Sequence, residues 1–490
     1  MELEKLDGIA LGKLVNAKQI SPVEVIEYFA ERIDSFNSKV NAFTYTKIDE
    51  ALQEAATLEN RIMQGEDVGP FAGVPVALKD FLPSKKGWTN SHGGVKHLIC
   101  EDIADSEFYK AARKLGVIAI GKTNAPAFGF SGACQNALYG ATRNPFDLTK
   151  TSGGSSGGTA AAVASGFITF GEGGDAGGSI RVPSSWCNLF GYKPSLGTVP
   201  SYCRPDGWSA THPYCFNGGL TKSVRDSATL LTEMAQYNPR DPISLPINSN
   251  KNFTELLDCV DIKNVKIAFT YDFDLYEYID PQVKGMIYTT VSNLERAGAS
   301  IDYVYFDFKH TIEEILTCWS WSISVDTAID LDIWKYNGLD LVKDYREELP
   351  EDFIHFNEVA AEASIFDMRH FNEIRTDILD NFEDVFEKYD FILSPITTCM
   401  PFPISWDGKC KEINGHVLDD KLNFISFAET PLANFVGYPA VSVPTGLSGY
   451  NLPSGLQIIG KQYRDETVLS LAHIIEEINP WAQYYDKIAF

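Results

Sequence analysis

No stretch of this chain approaches eighteen consecutive apolar residues, so the sequence predicts no transmembrane helix. Its opening residues, MELEKLDGIALGKL, lack a basic segment followed by an apolar core, and no signal peptide is expected. There is no C-x-x-C pair: the nine cysteines are odd in number and scattered, as reduced thiols in a cytoplasmic protein would be. The eight histidines show no H-E-x-x-H or other paired-ligand spacing, so no metal is expected. Basic residues are scarce, 41 against 66 acidic ones, for a net charge of −25. A surface of that sign repels phosphate backbones and anionic bilayers, which argues against nucleic-acid and membrane partners. The acidity reads as a solubility feature. Internal repeats, low-complexity linkers and a clear domain boundary are also missing, so residues 1–490 read as one large domain of ordinary folded composition.

Glycine, by contrast, is concentrated between Thr151 and Arg181, TSGGSSGGTAAAVASGFITFGEGGDAGGSIR. Two glycine-flanked serines stand there, Ser155 in Gly153–Gly158 and Ser179 at the end of Gly173-Gly174-Asp175-Ala176-Gly177-Gly178-Ser179. Glycine at that density weakens helix and strand interiors, so it serves another purpose. Uncrowded backbone lets N–H groups converge on a developing negative charge, and a serine directly after such a loop is a candidate nucleophile. A single Gly-Gly-Ser is more often a flexible surface loop; two, separated by a small-residue helical run, are harder to explain that way. Gly153–Gly157 also fits G-x-S-x-G, but Phe146–Thr151 is not the apolar strand a nucleophile elbow needs. Gly171–Ala176 fits G-x-G-x-x-A, but no acidic strand end follows at Tyr192–Gly197, and the dinucleotide reading fails.

A third segment, Gly73-Val74-Pro75-Val76-Ala77-Leu78-Lys79-Asp80, reads as an apolar strand ending in a charged pair. Lys79 is either an exposed strand tip or a partly desolvated ammonium whose pKa is lowered. Together these segments resemble the amidase signature family, whose members hydrolyse amides with a Ser-Ser-Lys triad. The resemblance covers nearly the whole chain and is most specific at 73–80, 151–194 and 433–460. It implies the α/β amidase signature fold, a large mixed central β-sheet covered by α-helices on both faces. It places the signature core at about 70–200 and 430–480 and a variable substrate-pocket region at about 205–430. It further implies that Ser179 is the nucleophile, Ser155 the bridging serine after a cis peptide, and Lys79 the base, with no organic cofactor. The N–H groups of Ala176, Gly177, Gly178 and Ser179 are then the oxyanion hole, with Ser156, Arg181 and Asp175 supporting the two loops. Gly174 departs from the Ser or Thr usual there.

The rest of the chain alternates helices and buried strands, the mark of a layered α/β core. Ser21-Pro22-Val23-Glu24 is a capping box opening a helix to about Phe36, and helices follow at Ile48–Met63 and Ser106–Leu115. Strands are expected at Val117–Gly121, Phe167–Phe170, Asn264–Tyr271, Ala299–Phe306 and Asp390–Pro395. Asp280-Pro281 opens a helix to Ala297, and Asp465 caps the last helix, Glu466–Ile478. Cys318-Trp319-Ser320-Trp321 lies in an aromatic helical stretch, either core or, for Cys318 and Trp319, a wall of the substrate pocket. The expected partner is a small-molecule amide: a linear or cyclic oligoamide, toward which the resemblance in length and at Ser179-Ile180-Arg181-Val182-Pro183 leans, an aryl or aliphatic amide, or a carbamate; a homodimer is left open. Two alternatives stand beside the hydrolase: an amidotransferase A-type subunit, and a non-catalytic binding protein on the same scaffold. Against the second, all three triad residues are present.

Overall fold

The structure is a computed structural model describing residues 2–201, 203–204, 206–209, 214–405, 410–418, 424–488 and 490. One eleven-stranded sheet runs through it. Its strands, numbered along the chain, begin with β1 (Phe43–Thr46), β2 (Pro75–Lys79), β3 (Ile118–Thr123), β4 (Phe170–Asp175) and β5 (Phe190–Lys193). They continue with β6 (Phe216–Thr221), β7 (Lys266–Phe269), β8 (Ser300–Tyr303), β9 (Phe391–Pro395), β10 (Ala440–Leu447) and β11 (Pro453–Gly460). Across the sheet the order is β1-β3-β2-β4-β6-β5-β10-β11-β9-β7-β8. Strand β2 is parallel to both neighbours, as is β7 to β8 and β9, and the remaining pairs are antiparallel. The expected mixed sheet is therefore present.

Helices of six residues or more are α1 (Gly8–Asn16), α2 (Pro22–Val40), α3 (Ile48–Met63), α4 (Glu107–Lys114), α5 (Gly157–Ala164), α6 (Arg181–Trp186) and α7 (Val224–Met234). Then follow α8 (Pro281–Ala297), α9 (Ile312–Tyr336), α10 (Glu351–Glu362), α11 (Ile365–Phe386), α12 (Thr430–Val436) and α13 (Asp465–Ile478). They cover both faces because successive strand side chains point to opposite sides. Ile267 and Phe269 of β7, Phe391 and Leu393 of β9 and Ile458 of β11 join one apolar cluster, with Val283 and Ile287 of α8 and Val468 of α13. Their neighbours Ala268, Ile392 and Ile459 join the other, with Ile315 of α9, Ile378 of α11 and Leu432 of α12.

Boundaries follow local chemistry. The Ser21–Glu24 capping box forms as read, but α2 runs past Phe36 to Val40, where Asn41 takes a left-handed φ of 58° and stops it. Asp280 caps α8 through the N–H of Gln282. Two expectations are corrected. Asp465 does not cap α13: it is the first helical residue, and its buried carboxylate instead accepts from Ser195 N–H (2.8 Å), Ser195 Oγ (2.6 Å), Asn248 Nδ2 (2.9 Å) and Tyr192 Oη. The strand expected at 167–170 begins only at Phe170 and continues through the glycines to Asp175, paired with β6 along its whole length. Pairing with β6 makes those glycines strand, β2 adding a second neighbour at Phe170 and Gly171, and the open loop starts at Ala176. Residues 147–151 before Ser155 do form a strand, but in a separate two-stranded ribbon.

Candidate active site

Strand β2 delivers Lys79. All five of its residues are buried, and the strand lies between two parallel neighbours, so its last side chain leaves the sheet without meeting water. Lys79 is 1% exposed, and its Nζ donates to Ser155 Oγ at 2.7 Å. Burial pushes the ammonium's pKa down from 10.5 to about 8, against the pull of Asp175 and Glu172. Glu172, on β4, accepts from Lys79 N–H (3.2 Å) and Ser106 Oγ (2.7 Å); burial nonetheless pushes its carboxyl up to about 7.

Ser155 follows a cis Gly154–Ser155 peptide, and Ser156 heads α5. The N–H of Ser156 donates to the carbonyl of Ser179 at 3.2 Å, which ties the first glycine loop directly to the second. Ser179 is half-buried at the edge of a pocket, whereas Lys79 and Ser155 are buried.

The loop from Ala176 to Ser179 is held by peptide geometry. In a trans peptide the C=O and the following N–H point in opposite directions, so fixing one aims the other. Trp319 Nε1 donates to the Ala176 carbonyl (2.9 Å), which turns the Gly177 N–H away from Trp319. Thr430 Oγ1 donates to the Gly177 carbonyl (2.6 Å), and Val182 N–H to that of Gly178 (2.7 Å). Neither glycine tolerates a side chain: a Cβ on Gly177 would lie 2.3 Å from Trp319 Nε1, and Gly178 has a φ of +120°. One expected oxyanion donor is removed by this arrangement. Gly178 N–H is already given to Asp175 Oδ1 at 2.6 Å, leaving the N–H groups of Ala176, Gly177 and Ser179 without a protein partner among the described residues.

Asp175 is the buried anchor of the loop. It also accepts from Ile180 N–H (3.2 Å) and from both Nε and NH2 of Arg181 (3.0 Å each), a two-toothed guanidinium–carboxylate pair. Burial pushes the Asp175 carboxyl up, but Arg181 and the N–H donors outweigh it and hold it well below the usual carboxylate range. Arg181 starts α6, only six residues long, and is fully buried.

Three supporting residues carry no role in the sequence reading. Asn434 gives Nδ2 to the carbonyl (3.0 Å) and side chain (3.1 Å) of Asp175, and its Oδ1 accepts from Arg181 (2.6 Å). Gln457 accepts from the other arm of Arg181, and Thr430 fixes Gly177. Asn434 and Gln457 are lone amides inside apolar runs, ANFVG and GLQIIG, a pattern that signals a buried polar contact. Ser156 and Arg181 stand where expected. Gly174 lies open, with Leu82 the nearest side chain at 3.2 Å from a Cβ built there. Trp319 lines the pocket but Cys318 does not: adjacent helical residues point about 100° apart, and Cys318 is buried in the core, its Sγ on the Phe371 carbonyl. Phe130, Phe424 and Phe427 complete the pocket's aromatic wall. Among the described residues no His, Cys, Asp or Glu cluster has the makings of a metal site, and no helix is long and apolar enough to cross a membrane.

A buried lysine is thus bonded to a serine that follows a cis peptide, and that serine's loop is tied to the glycine loop ending in Ser179, on an α/β scaffold. The Amidase family model matches residues 24–469, and the chain belongs to that family. It is 31% identical over 484 residues to the A-type subunit of the glutamyl-tRNA(Gln) amidotransferase of Geobacillus kaustophilus, covering 95% of this chain and 96% of that one. Among solved structures it is similar to a bacterial aryl acylamidase of the amidase signature enzymes, with a TM-score of 0.92, 33% identity and 98% of each chain covered. A 6-aminohexanoate cyclic dimer hydrolase also matches, with a TM-score of 0.84, 25% identity and 98% of each chain covered.

Proposed function

We propose that this amide hydrolase works through an acyl-enzyme on Ser179, with Ser155 as relay and Lys79 as base. The observation that carries this reading is the 2.7 Å bond from a fully buried lysine to Ser155 Oγ. Neutral Lys79 takes the proton of Ser155 as Ser155 takes that of Ser179, whose Oγ attacks the amide carbon. The N–H groups of Gly177 and Ser179, with that of Ala176, stabilise the oxyanion. The lysine's proton returns through Ser155 to the leaving amine, the C–N bond breaks, and water repeats the attack on the ester so formed.

The substrate we propose is a small aryl or alkyl amide. The apolar rings of Phe130, Trp319, Phe424 and Phe427 around Ser179 suit it, as does the likeness to an aryl acylamidase. The test is release of aniline from acetanilide together with peptide mapping of a fluorophosphonate adduct. An adduct on Ser179 supports the assignment; one on Ser155 exchanges the two serines, and one elsewhere with activity lost refutes the triad. The relation to the amidotransferase's A-type chain supports a second reading, as the amidase half of a complex. Copurification with partner proteins would favour it, and hydrolysis by the isolated chain, monomer or homodimer, would favour the first. One domain over 1–490 agrees with a sheet whose strands come from residues 43 to 460, and nine free thiols suit a reducing compartment.

A further inference from the structure

The pocket at Ser179 is small, about 40 Å³, close to the space of a single water, whereas ligand sites of enzymes usually offer several hundred. A cavity of about 670 Å³ lies next to it, between α9, α10 and α11. The two share one residue, Phe424. Its ring centroid is 5.6 Å from that of Trp319, on the side of Ser179, and 5.2 Å from that of Phe356, on the side of the larger cavity. Phe424 is thus a single aromatic partition, half-buried, with the rings of Trp319 and Phe427 on the Ser179 side and that of Phe356 on the other.

The space behind it has the character of a binding site. Trp321, Phe356 and Phe371 supply aromatic surface, and Val359 and Leu316 supply aliphatic surface. Helix geometry separates the two roles of α9: Trp319 and Ile323, four residues apart on one face, meet the Ser179 pocket, while Ser320 and Trp321 meet the other.

We propose that Phe424 sets how large an amide this enzyme accepts, and that the cavity behind it is a latent distal subsite. That subsite would take an aryl or alkyl extension. The inference rests on the hydrolase reading above and deepens it. The experiment measures kcat/KM for anilides of increasing acyl length and for acetamides of increasingly bulky amines, and reports the ratio of the largest member to acetanilide. Wild type should give a ratio well below one. Phe424→Ala and the milder Phe424→Leu should raise it at least tenfold in one of the two series, and Val359→Trp added to Phe424→Ala should reverse the gain by refilling the cavity. Ratios within twofold of wild type for both Phe424 variants, with acetanilide still cleaved, would overturn the partition alone. A wild type inactive on every member would take down the hydrolase reading and this inference with it.

Discussion

The sharpest test of the site is the pH dependence that burial imposes on Lys79. With its ordinary pKa of 10.5, roughly one lysine in three thousand would be neutral at pH 7. Held at about 8, roughly one in ten is. If the neutral amine is the base, kcat/KM should climb about tenfold per pH unit below 8, bend near 8, and stay high into alkaline solution. Lys79→Ala should lose about 10²–10⁴-fold in turnover, and adding Ser155→Ala should cost little more, because residues that act as one unit do not add. The same burial bears on stability. Between pH 8 and 10.5 the unfolded chain holds a proton that the folded chain has released, so stability rises with pH across that window. Below pH 8 the full penalty applies, about 3 kcal/mol, so Lys79→Met should melt higher than wild type at pH 7, with the gap closing above pH 10. A stopped assay from pH 5 to 10 beside thermal melts of both proteins supplies the measurements. A limb bending near 6.5, or a Lys79→Ala enzyme within tenfold of wild type, would refute the reasoning.

Other outcomes follow from single contacts. Trp319→Phe removes the N–H that holds the Ala176 carbonyl together with one ring of the pocket wall, so kcat should fall about tenfold and KM should shift as well. Asp175→Asn leaves the buried Arg181 without its counter-charge and should cost about 3–5 kcal/mol, visible in urea unfolding. Burial raises the folded Glu172 carboxyl from 4.5 to about 7, so it contributes stability in acid that is lost as pH rises through that window; Glu172→Gln should flatten the slope in melts between pH 4.5 and 7. Chelators should leave activity unchanged, and a loss in EDTA restored by zinc would contradict the lysine mechanism.

What could be read without coordinates was whatever depends on local spacing. The capping box at Ser21, the buried strand ending in Lys79 and the two glycine–serine loops each carry their geometry within a few residues. The partners of the Asp175–Arg181 pair did not: Asn434 on α12 and Gln457 on β11 lie more than two hundred residues away in sequence, and only the tertiary fold brings them to Arg181. Asp465 misled for a related reason. An acid before a helical run looks like a cap, yet the donors of Ser195 and Asn248, invisible to local pattern, compete for its carboxylate. The donor set at the oxyanion loop was over-counted because the acid that spends the Gly178 N–H lies three residues upstream, inside the same motif.

The two side chains that hold carbonyls of the 176–179 loop come from different helices. Trp319 belongs to the long helix α9, and Thr430 is the first residue of α12. Residues that greet the substrate and residues that aim the catalytic dipoles are thus on the same helix, one or two turns apart. A mutation that reshapes α9 to admit a new amide tilts the peptide planes at Gly177 as well. Retuning this enzyme by directed evolution should therefore meet its steepest losses of turnover along α9. Changes at Phe424, which makes ring contacts with Trp319 but holds none of the loop carbonyls, offer the gentler route.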